Sequence, residues 1–202
     1  SLTSAALPAG LTRISYNAFR GCVGLTNITI PANVKTVDSG AFGACSRLTS
    51  VSLPDGLTTI ENGAFSGCVN LKEISIPESV TEIRGSAFED CFNLKNVEIP
   101  GKVTDIGEST FRGCRNLESI GIPQSVNGIR AYAFYECDSL KDIYYSGTKN
   151  AWDNISIFSN GNNRLSAATI HCTDGDILPT AENSITTGTA SASGSKFQAT
   201  FA

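Results

Sequence analysis

The chain has 202 residues, a net charge of −4 and a pI near 5.0, with 41% hydrophobic and 17% charged residues. This composition supports a packed core and argues against wholesale disorder. Because Lys and Arg are scattered singly, the chain lacks the basic stripe that nucleic-acid binding requires. No apolar run approaches the roughly 18 residues of a membrane span, and the opening "SLTSAALPAG" lacks the charged start and apolar stretch of a signal peptide.

One pattern recurs six times at an interval of 23 residues, without insertions. Each copy reads P-x-x-[LV]-x-x-[IV]-x-x-x-[AT]-F-x-x-C-x-x-L-x-x-[IV]-x-[IL]. A single copy has too few apolar residues to form its own core, so the copies must stack as a solenoid and share one core. Its largest and most regular members are Phe19, Phe42, Phe65, Phe88, Phe111 and Phe134, with Cys22, Cys45, Cys68, Cys91, Cys114 and Cys137.

Three elements are predicted within each copy, taken here in chain order. The stretch "LTNITI" at 25–30 alternates with period two and is rich in Ile and Thr, which predicts a short strand. Equivalent strands then pair in parallel, about 4.8 Å apart, and Pro31 ends the strand where a missing N–H costs least. "NVKTV" predicts a second, shorter strand, and "SGAFGAC" a helical turn.

The two ends depart from the repeat. Residues 1–8 align with "RLTSVSLP" at 47–54, so residues 1–145 are predicted to form the solenoid, a partial repeat followed by six full ones. Residues 146–172 are predicted to be an atypical C-terminal capping unit, with a strand that starts at Leu165 and with Trp152, Ile155, Ile157 and Phe158 closing the core. Residues 173–202 are rich in Ser, Thr, Ala and Gly and are predicted to be a tail or linker.

The motif L-x-x-I-x-I-P…A-F-x-x-C at this period resembles the BspA-type (treponemal) leucine-rich repeats, and "YYSGTKNAWDNISI…LSAATIHC" resembles the terminal unit of that family. The resemblance covers about residues 1–175. It implies a repeat solenoid, a right-handed α/β-type superhelix of predominantly short parallel strands with helical turns. It also implies exposure on a bacterial cell surface, a role in attachment or protein binding, and no catalytic residues.

The repeated cysteines have three interpretations: metal ligands, disulfides or core residues. Structural zinc sites use closely spaced Cys pairs with His nearby, whereas here the spacing is 23 and the one His, His171, adjoins the odd Cys172. Equivalent side chains in a stack point the same way, which disfavours disulfides. Buried thiols pack as small hydrophobic groups, so core packing is the favoured interpretation.

No catalytic site, metal site or cofactor is predicted. A Ser nucleophile needs a base oriented by a third group, and the single His offers little material for one. Carboxylate pairs such as Glu89 and Asp90 are typical of a solvated surface. "CTDGDI" offers fewer oxygen ligands than calcium takes, so it is predicted to be a plain turn.

The outward columns of the main strand are the candidate binding face. This face contains Thr29, Ser52, Ser75, Glu98, Asp142 and Tyr144. Tyr132 and Tyr135 join it as exposed aromatic candidates near the last repeat, where Tyr145 and Trp152 also lie, because binding hot spots favour such side chains. The alternative is that these aromatic residues seal the end of the core. Asn70, Asn93 and Asn116 are explained by amides stacked around a turn.

Two functions remain in competition. The favoured one is a non-enzymatic surface module that binds a protein or another extracellular macromolecule of a host or neighbouring cell. The alternative is a structural spacer that presents another domain away from the cell wall. Free thiols are typical of the cytosol, but buried ones are inert in any compartment, so an extracellular location is still expected. Leu7, Leu11, Ile14 and Phe19 lie near the uncovered N-terminal end, which predicts weak self-association there.

Overall fold

The computed structural model describes residues 2–179, which wind into a solenoid of about seven turns with repeats about 23 residues long. Each turn contributes residues to two ladders of backbone pairing, called here the main ladder and the second ladder. The apolar side chains of every turn point between these ladders into one continuous core.

The main ladder contains the strands predicted from "LTNITI" and its copies. β2 (Asn27–Thr29) pairs in parallel with β4 (Ser50–Ser52), and β7 (Asn96–Glu98), β9 (Ser119–Ile122), β11 (Asp142–Tyr145) and β13 (Thr169–Cys172) pair in parallel in that order. Residues 73–75 lie between the two groups and pair through a single bridge from Glu73 to Asn96. The parallel pairing predicted from the repeat is confirmed.

The second ladder contains the shorter strands predicted from "NVKTV". Its members are β1 (Arg13–Ile14), β3 (Thr36–Val37), β5 (Thr59–Ile60) and β6 (Glu82–Ile83), followed by β8 (Asp105–Ile106), β10 (Gly128–Ile129) and β12 (Ser156–Ile157). All pair in parallel within these two groups. The second strand of each copy is therefore present at the position that the sequence indicated.

The segment around each repeated Phe forms single turns rather than a continuous helix. Ala41 donates its N–H to the Asp38 carbonyl within the turn, at 3.1 Å, whereas Phe42 donates to the Ala64 carbonyl of the next coil, at 2.8 Å. This alternation requires two positive-φ positions per copy, one before and one after the Phe. They are Asn17, Gly40, Gly63, Ser86, Ser109 and Tyr132, then Gly21, Ala44, Gly67, Asp90, Gly113 and Glu136, with φ between 54 and 72°.

Seven of these left-handed positions hold a residue other than glycine. Each such residue costs roughly 1–2 kcal/mol relative to a right-handed conformation. The conformation persists because it aims alternate N–H groups at the next coil, so every turn is tied to its neighbour by backbone hydrogen bonds. A helix would direct those groups along its own axis and would leave the coils unconnected here.

The repeated phenylalanines stack through the centre of the core. Successive ring centroids lie 5.2 to 5.7 Å apart and successive rings are within 16° of parallel, from Phe19 to Phe134. Offset parallel stacking at this distance is a favourable arrangement for aromatic rings. Phe42 to Phe134 are fully buried, and Phe19, in the first coil, is half-buried.

The repeated cysteines are free thiols that bond across the coils. The Sγ of Cys45 lies 3.0 Å from the Phe19 carbonyl, and Cys68, Cys91, Cys114 and Cys137 make the same contact at 3.1 to 3.3 Å. Each Phe carbonyl thus accepts the N–H of the Cys in its own coil and the thiol of the next coil. A thiol fits this position because it combines a small apolar volume with a weak donor.

Burial raises the pKa of the Cys45 thiol to about 11 and that of Cys137 to about 12, and it raises those of Cys68, Cys91 and Cys114 as well. Because the thiolate is the reactive form, we expect the native protein to react with a thiol reagent at only two of its seven cysteines, the partly exposed Cys22 and Cys172. Counting modified thiols by mass spectrometry before and after denaturation tests this. Rapid native modification of Cys91 would contradict it, and Cys172→Ser should remove one fast-reacting thiol.

The N-terminal residues continue the stack as the sequence predicted. The Thr26 N–H donates to the Thr3 carbonyl at 3.2 Å, which is the spacing of one repeat. Leu7 and Leu11 pack against the core while remaining partly exposed, and Leu2 is 46% exposed. Ile14 is fully covered, so the exposure expected at this end applies to the leucines and Phe19 and not to Ile14.

The C-terminal unit differs from the repeats in its secondary structure. It contains helix α1 (Lys149–Asp153), helix α2 (Arg164–Ala167) and strand β14 (Gly175–Ile177), which pairs antiparallel with β13. The prediction of a strand starting at Leu165 is wrong, because Leu165 is the buried residue of α2 and the strand begins at Thr169. The turn predicted in "CTDGDI" is present and connects β13 to β14.

The predicted closure of the core holds for some of the expected side chains. Trp152 and Ile155 are buried, and the Trp152 ring packs edge-on against Tyr145 at 5.2 Å. Phe158 does not close the core. Its side chain is 43% exposed and lies under the Arg130 guanidinium.

Asn162 is the polar residue that completes the last coil. Its side chain is fully buried, and its Oδ1 accepts the Phe134 N–H at 3.1 Å. Its Nδ2 donates to the carbonyls of Arg130 and Phe158 at 2.7 and 2.8 Å. Asn162 thus supplies to Phe134 the acceptor that a backbone carbonyl of the next coil supplies to the other stacked phenylalanines.

The ordered C-terminal unit continues past residue 172, where the sequence placed its end, because β14 forms the last strand of the main ladder. The rest of the predicted tail, residues 180–202, lies outside the described residues. Between residues 2 and 179, no helix has the length and apolar character needed to cross a membrane.

Candidate functional site

The outward side of the main ladder is the candidate site, and we call it the main face. It consists of two columns of outward side chains, Asn27, Ser50, Glu73, Asn96, Ser119, Asp142 and Thr169, and Thr29, Ser52, Ser75, Glu98, Gly121, Tyr144 and His171. The structure therefore brings six of the predicted site residues onto one surface, Thr29, Ser52, Ser75, Glu98, Asp142 and Tyr144.

The N-terminal half of the main face is small and polar. Thr29, Ser52 and Ser75 are exposed side chains in consecutive coils. Because the main ladder is interrupted at residues 73–76, a groove of about 630 Å³ opens here, lined on its polar side by Ser50, Glu73, Ser75, Glu78 and Glu98. Short side chains beside an open groove allow a partner's backbone to approach the sheet closely.

The C-terminal half of the main face carries an aromatic pair. The Tyr144 ring stacks on the His171 imidazole, with centroids 4.9 Å apart and planes within 19°. His171 Nε2 lies 3.0 Å from Asp142 Oδ1, and its Nδ1 lies 3.0 Å from Asp176 Oδ1. The imidazole thus links β11, β13 and β14, and it holds both carboxylates beside an exposed tyrosine.

Sequence analysis missed this histidine cluster because of the register of the last coil. Aligning Leu165 with Leu140 implies an offset of 25 residues, whereas Tyr144 pairs with His171, an offset of 27. The difference arises in the C-terminal unit, whose two short helices replace the turns of a repeat. The alternation "TIHC" after a helical stretch is the signal that indicates the correct strand.

Hydrogen bonds to Asp142 and then to Asp176 raise the pKa of His171 above its usual 6.5. A raised folded-state pKa stabilises the protein below the unfolded-state value, and this stabilisation is lost as the pH rises through the folded-state pKa. We therefore expect His171→Gln to lower the melting temperature most at about pH 5.5 and progressively less above neutrality. Since the chain has one His, NMR titration of its ring protons checks the shift directly, and a pKa at or below 6.5 would contradict it.

Tyr132 and Tyr135 do not belong to the main face. They lie in the turn segment of the last full coil, where their rings meet edge-on at 5.9 Å. The Arg112 guanidinium covers the Tyr135 ring at 5.7 Å. Both are exposed, so they form a separate aromatic patch, and the single aromatic cluster expected near the last repeat is divided among this patch, the main face and the buried Tyr145 and Trp152.

The repeated asparagines form a ladder of amides. Asn116 Nδ2 donates to Asn93 Oδ1 at 3.1 Å, Asn93 donates to Asn70 at 3.2 Å, and Asn70 donates to the Ser46 carbonyl at 2.7 Å. These bonds occupy the three amides with one another, as the sequence predicted. Within residues 2–179, no group of three His, Cys, Asp or Glu side chains is arranged to hold a metal ion.

Comparison with known proteins identifies the family. The profile of the BspA type leucine rich repeat region matches in six copies over residues 1–100 and 35–165. The chain is similar to a T. pallidum leucine-rich repeat protein of known structure, with 34% identity and a TM-score of 0.68 over 70% of this chain and 68% of that one. No significant match is found among curated proteins.

Two further structures extend the comparison. A leucine rich cell surface protein from Faecalibacterium prausnitzii shares 33% identity, with a TM-score of 0.64 over 76% of this chain and 50% of that one. A leucine-rich repeat protein from Bacteroides ovatus shares 32% identity, with a TM-score of 0.52 over 68% of this chain and 43% of that one. The chain thus spans half or less of the length of these two relatives. The matched copies and the shared solenoid show that this chain belongs to the BspA-type leucine-rich repeat family.

Proposed function

We propose that this chain is a non-enzymatic module on the surface of a bacterial cell that mediates adhesion by binding a protein or another extracellular macromolecule of a host or neighbouring cell. The main face carries the proposal, because Thr29, Ser52, Ser75 and Tyr144 expose a continuous polar surface with an aromatic residue at one end. The F. prausnitzii relative, described as a cell surface protein, supports the location.

The test is attachment of fluorescent beads that carry the full chain to immobilised host extracellular-matrix proteins. Ser52→Trp with Ser75→Trp would block the main face by bulk, whatever the chemistry of the partner. Ser15→Trp, at an exposed position outside the main ladder, is the matched control. We expect the double variant to lose attachment and the control to keep it. A structural spacer would tolerate both changes, and absence of attachment by the unmodified chain would refute the proposal for these surfaces.

We also propose that the chain associates weakly with itself through its N-terminal end. Leu2 and Leu7 expose apolar surface there, and pairing two such ends would remove that surface from water. We expect light scattering to show a molecular mass that rises with concentration, and Leu2→Glu with Leu7→Glu to abolish the rise. Association that persists in this variant would place the contact elsewhere.

A further inference from the structure

We propose that the partner presents a cationic, extended segment to the main face, and that one Arg or Lys side chain of this segment sits above Gly121, between Glu98 and Tyr144. The inference rests on the proposed function and specifies the chemistry of the partner. Three features of the main face carry it: its charge, an unpaired carboxylate, and the free side of an aromatic ring.

The charge of the main face is of one sign. Its two outward columns contain Glu73, Glu98 and Asp142 and neither Lys nor Arg. Glu78 adds a fourth carboxylate at the end of the groove. The nearest lysines precede the strands and form one border of the face, where Lys95 lies 3.8 Å from Glu118. A partner segment that follows the centre of the face therefore meets carboxylates, which complement positive charge.

Glu98 is the carboxylate that remains available. Asp142 is already bonded to His171, whereas within residues 2–179 Glu98 makes neither a hydrogen bond nor an ion pair. Its side chain lies across Gly121 in the neighbouring strand, and a β-carbon at position 121 would overlap the Glu98 carboxylate. Glycine at this position thus creates the space in which the carboxylate, and a cation bound to it, can lie against the sheet.

Tyr144 supplies the second contact. It is paired with Gly121 on one side and with His171 on the other. Because His171 covers one face of its ring, the other face looks over Gly121 towards Glu98, and the side chain is 51% exposed. A guanidinium or ammonium group in this position would make a cation–π contact with the ring and a charge-assisted hydrogen bond with the carboxylate.

The groove accommodates the rest of the segment. It begins at Glu98 and continues past Ser75 to Ser50, with a volume of about 630 Å³. An extended chain has room here because the outward side chains are short, and Glu73 and Glu78 offer further carboxylates to basic residues. The cation above Gly121 would anchor one end of such a segment.

The probe is a fluorescein-labelled nine-residue peptide of alternating Arg and Ser, titrated with the full chain and followed by fluorescence anisotropy. Glu98→Gln and Tyr144→Ala should each weaken binding about tenfold, since each removes one of the two contacts. Gly121→Ala should weaken it as well, by displacing the flexible end of Glu98. Glu108→Gln makes the same charge change in an exposed loop outside the main ladder, and it should leave binding within about twofold. Added salt should weaken binding to the unmodified chain.

Failure of this inference is distinguishable from failure of the proposed function. Equal peptide binding by Glu98→Gln, Tyr144→Ala and Glu108→Gln, or no binding by the unmodified chain, would overturn the inference, as would displacement of the peptide by a neutral oligosaccharide. If matrix attachment is blocked by the two tryptophans yet unaffected by Glu98→Gln and Tyr144→Ala, the proposed function stands and the inference falls. If the peptide binds as expected but no matrix surface is recognised, the reverse holds.

Discussion

Replacing Phe65 with alanine is expected to lower the free energy of unfolding by about 3 to 5 kcal/mol, the usual range for truncating a buried aromatic residue. The Phe65 ring is fully buried and stacks on Phe42 and Phe88 with centroids 5.4 and 5.6 Å away. The variant loses both contacts and leaves a cavity that the neighbouring coils cannot fill, since their backbones are tied to one another. Denaturant titration followed by circular dichroism measures the change.

Two matched variants show whether the loss comes from the stack. Phe92→Ala deletes the same atoms from a side chain that is 36% exposed, so it should change the free energy of unfolding by about 0.5 kcal/mol or less. Cys68→Ala removes one sulfur atom from the same core and should cost much less than Phe65→Ala, whereas Cys68→Asp buries a carboxyl group and should cost much more. A Phe65→Ala protein that melts within about a degree of the unmodified chain would contradict a stacked core.

Replacing Asn162 with alanine is expected to lower the free energy of unfolding by about 2 to 4 kcal/mol. The change leaves the Phe134 N–H and the carbonyls of Arg130 and Phe158 without their partner in a fully buried site. An unsatisfied buried polar group costs about 1 to 3 kcal/mol, and the individual costs are not additive. Since the effect is local to the last coil, amide hydrogen exchange at Phe134 should accelerate more than exchange at Phe65.

The neighbouring asparagine provides the control. Asn163 is exposed, and its side chain makes no capping hydrogen bond to α2, so Asn163→Ala should change stability by about 0.5 kcal/mol or less. Asn162→Asp keeps the acceptor for Phe134 but loses the donor to the two carbonyls, and it should also destabilise. If Asn162→Ala behaved like Asn163→Ala, the C-terminal unit would close the core without this residue.

The repeat by itself determined the architecture. An uninterrupted step of 23 residues places each residue beside its equivalent in the next coil, so the register of both ladders follows from counting, as the pairing of Asn27 with Ser50 illustrates. The same counting placed Thr29, Ser52 and Ser75 on one outward column, because alternate residues of a strand point to opposite faces. Identical units leave one stacking arrangement that buries every apolar column, which is why the prediction held across the repeats.

Only the tertiary structure decided what happens where the repetition ends or where backbone conformation competes with propensity. Tyr132 and Glu136 adopt positive φ against their own preference, because inter-coil hydrogen bonds form only in that conformation. The offset of 27 between Tyr144 and His171 depends on how the short helices α1 and α2 pack, and no column of equivalents specifies it. Asn162 and the histidine cluster escaped prediction for the same reason: each occurs once, and its partners come from segments that only the folded chain brings together.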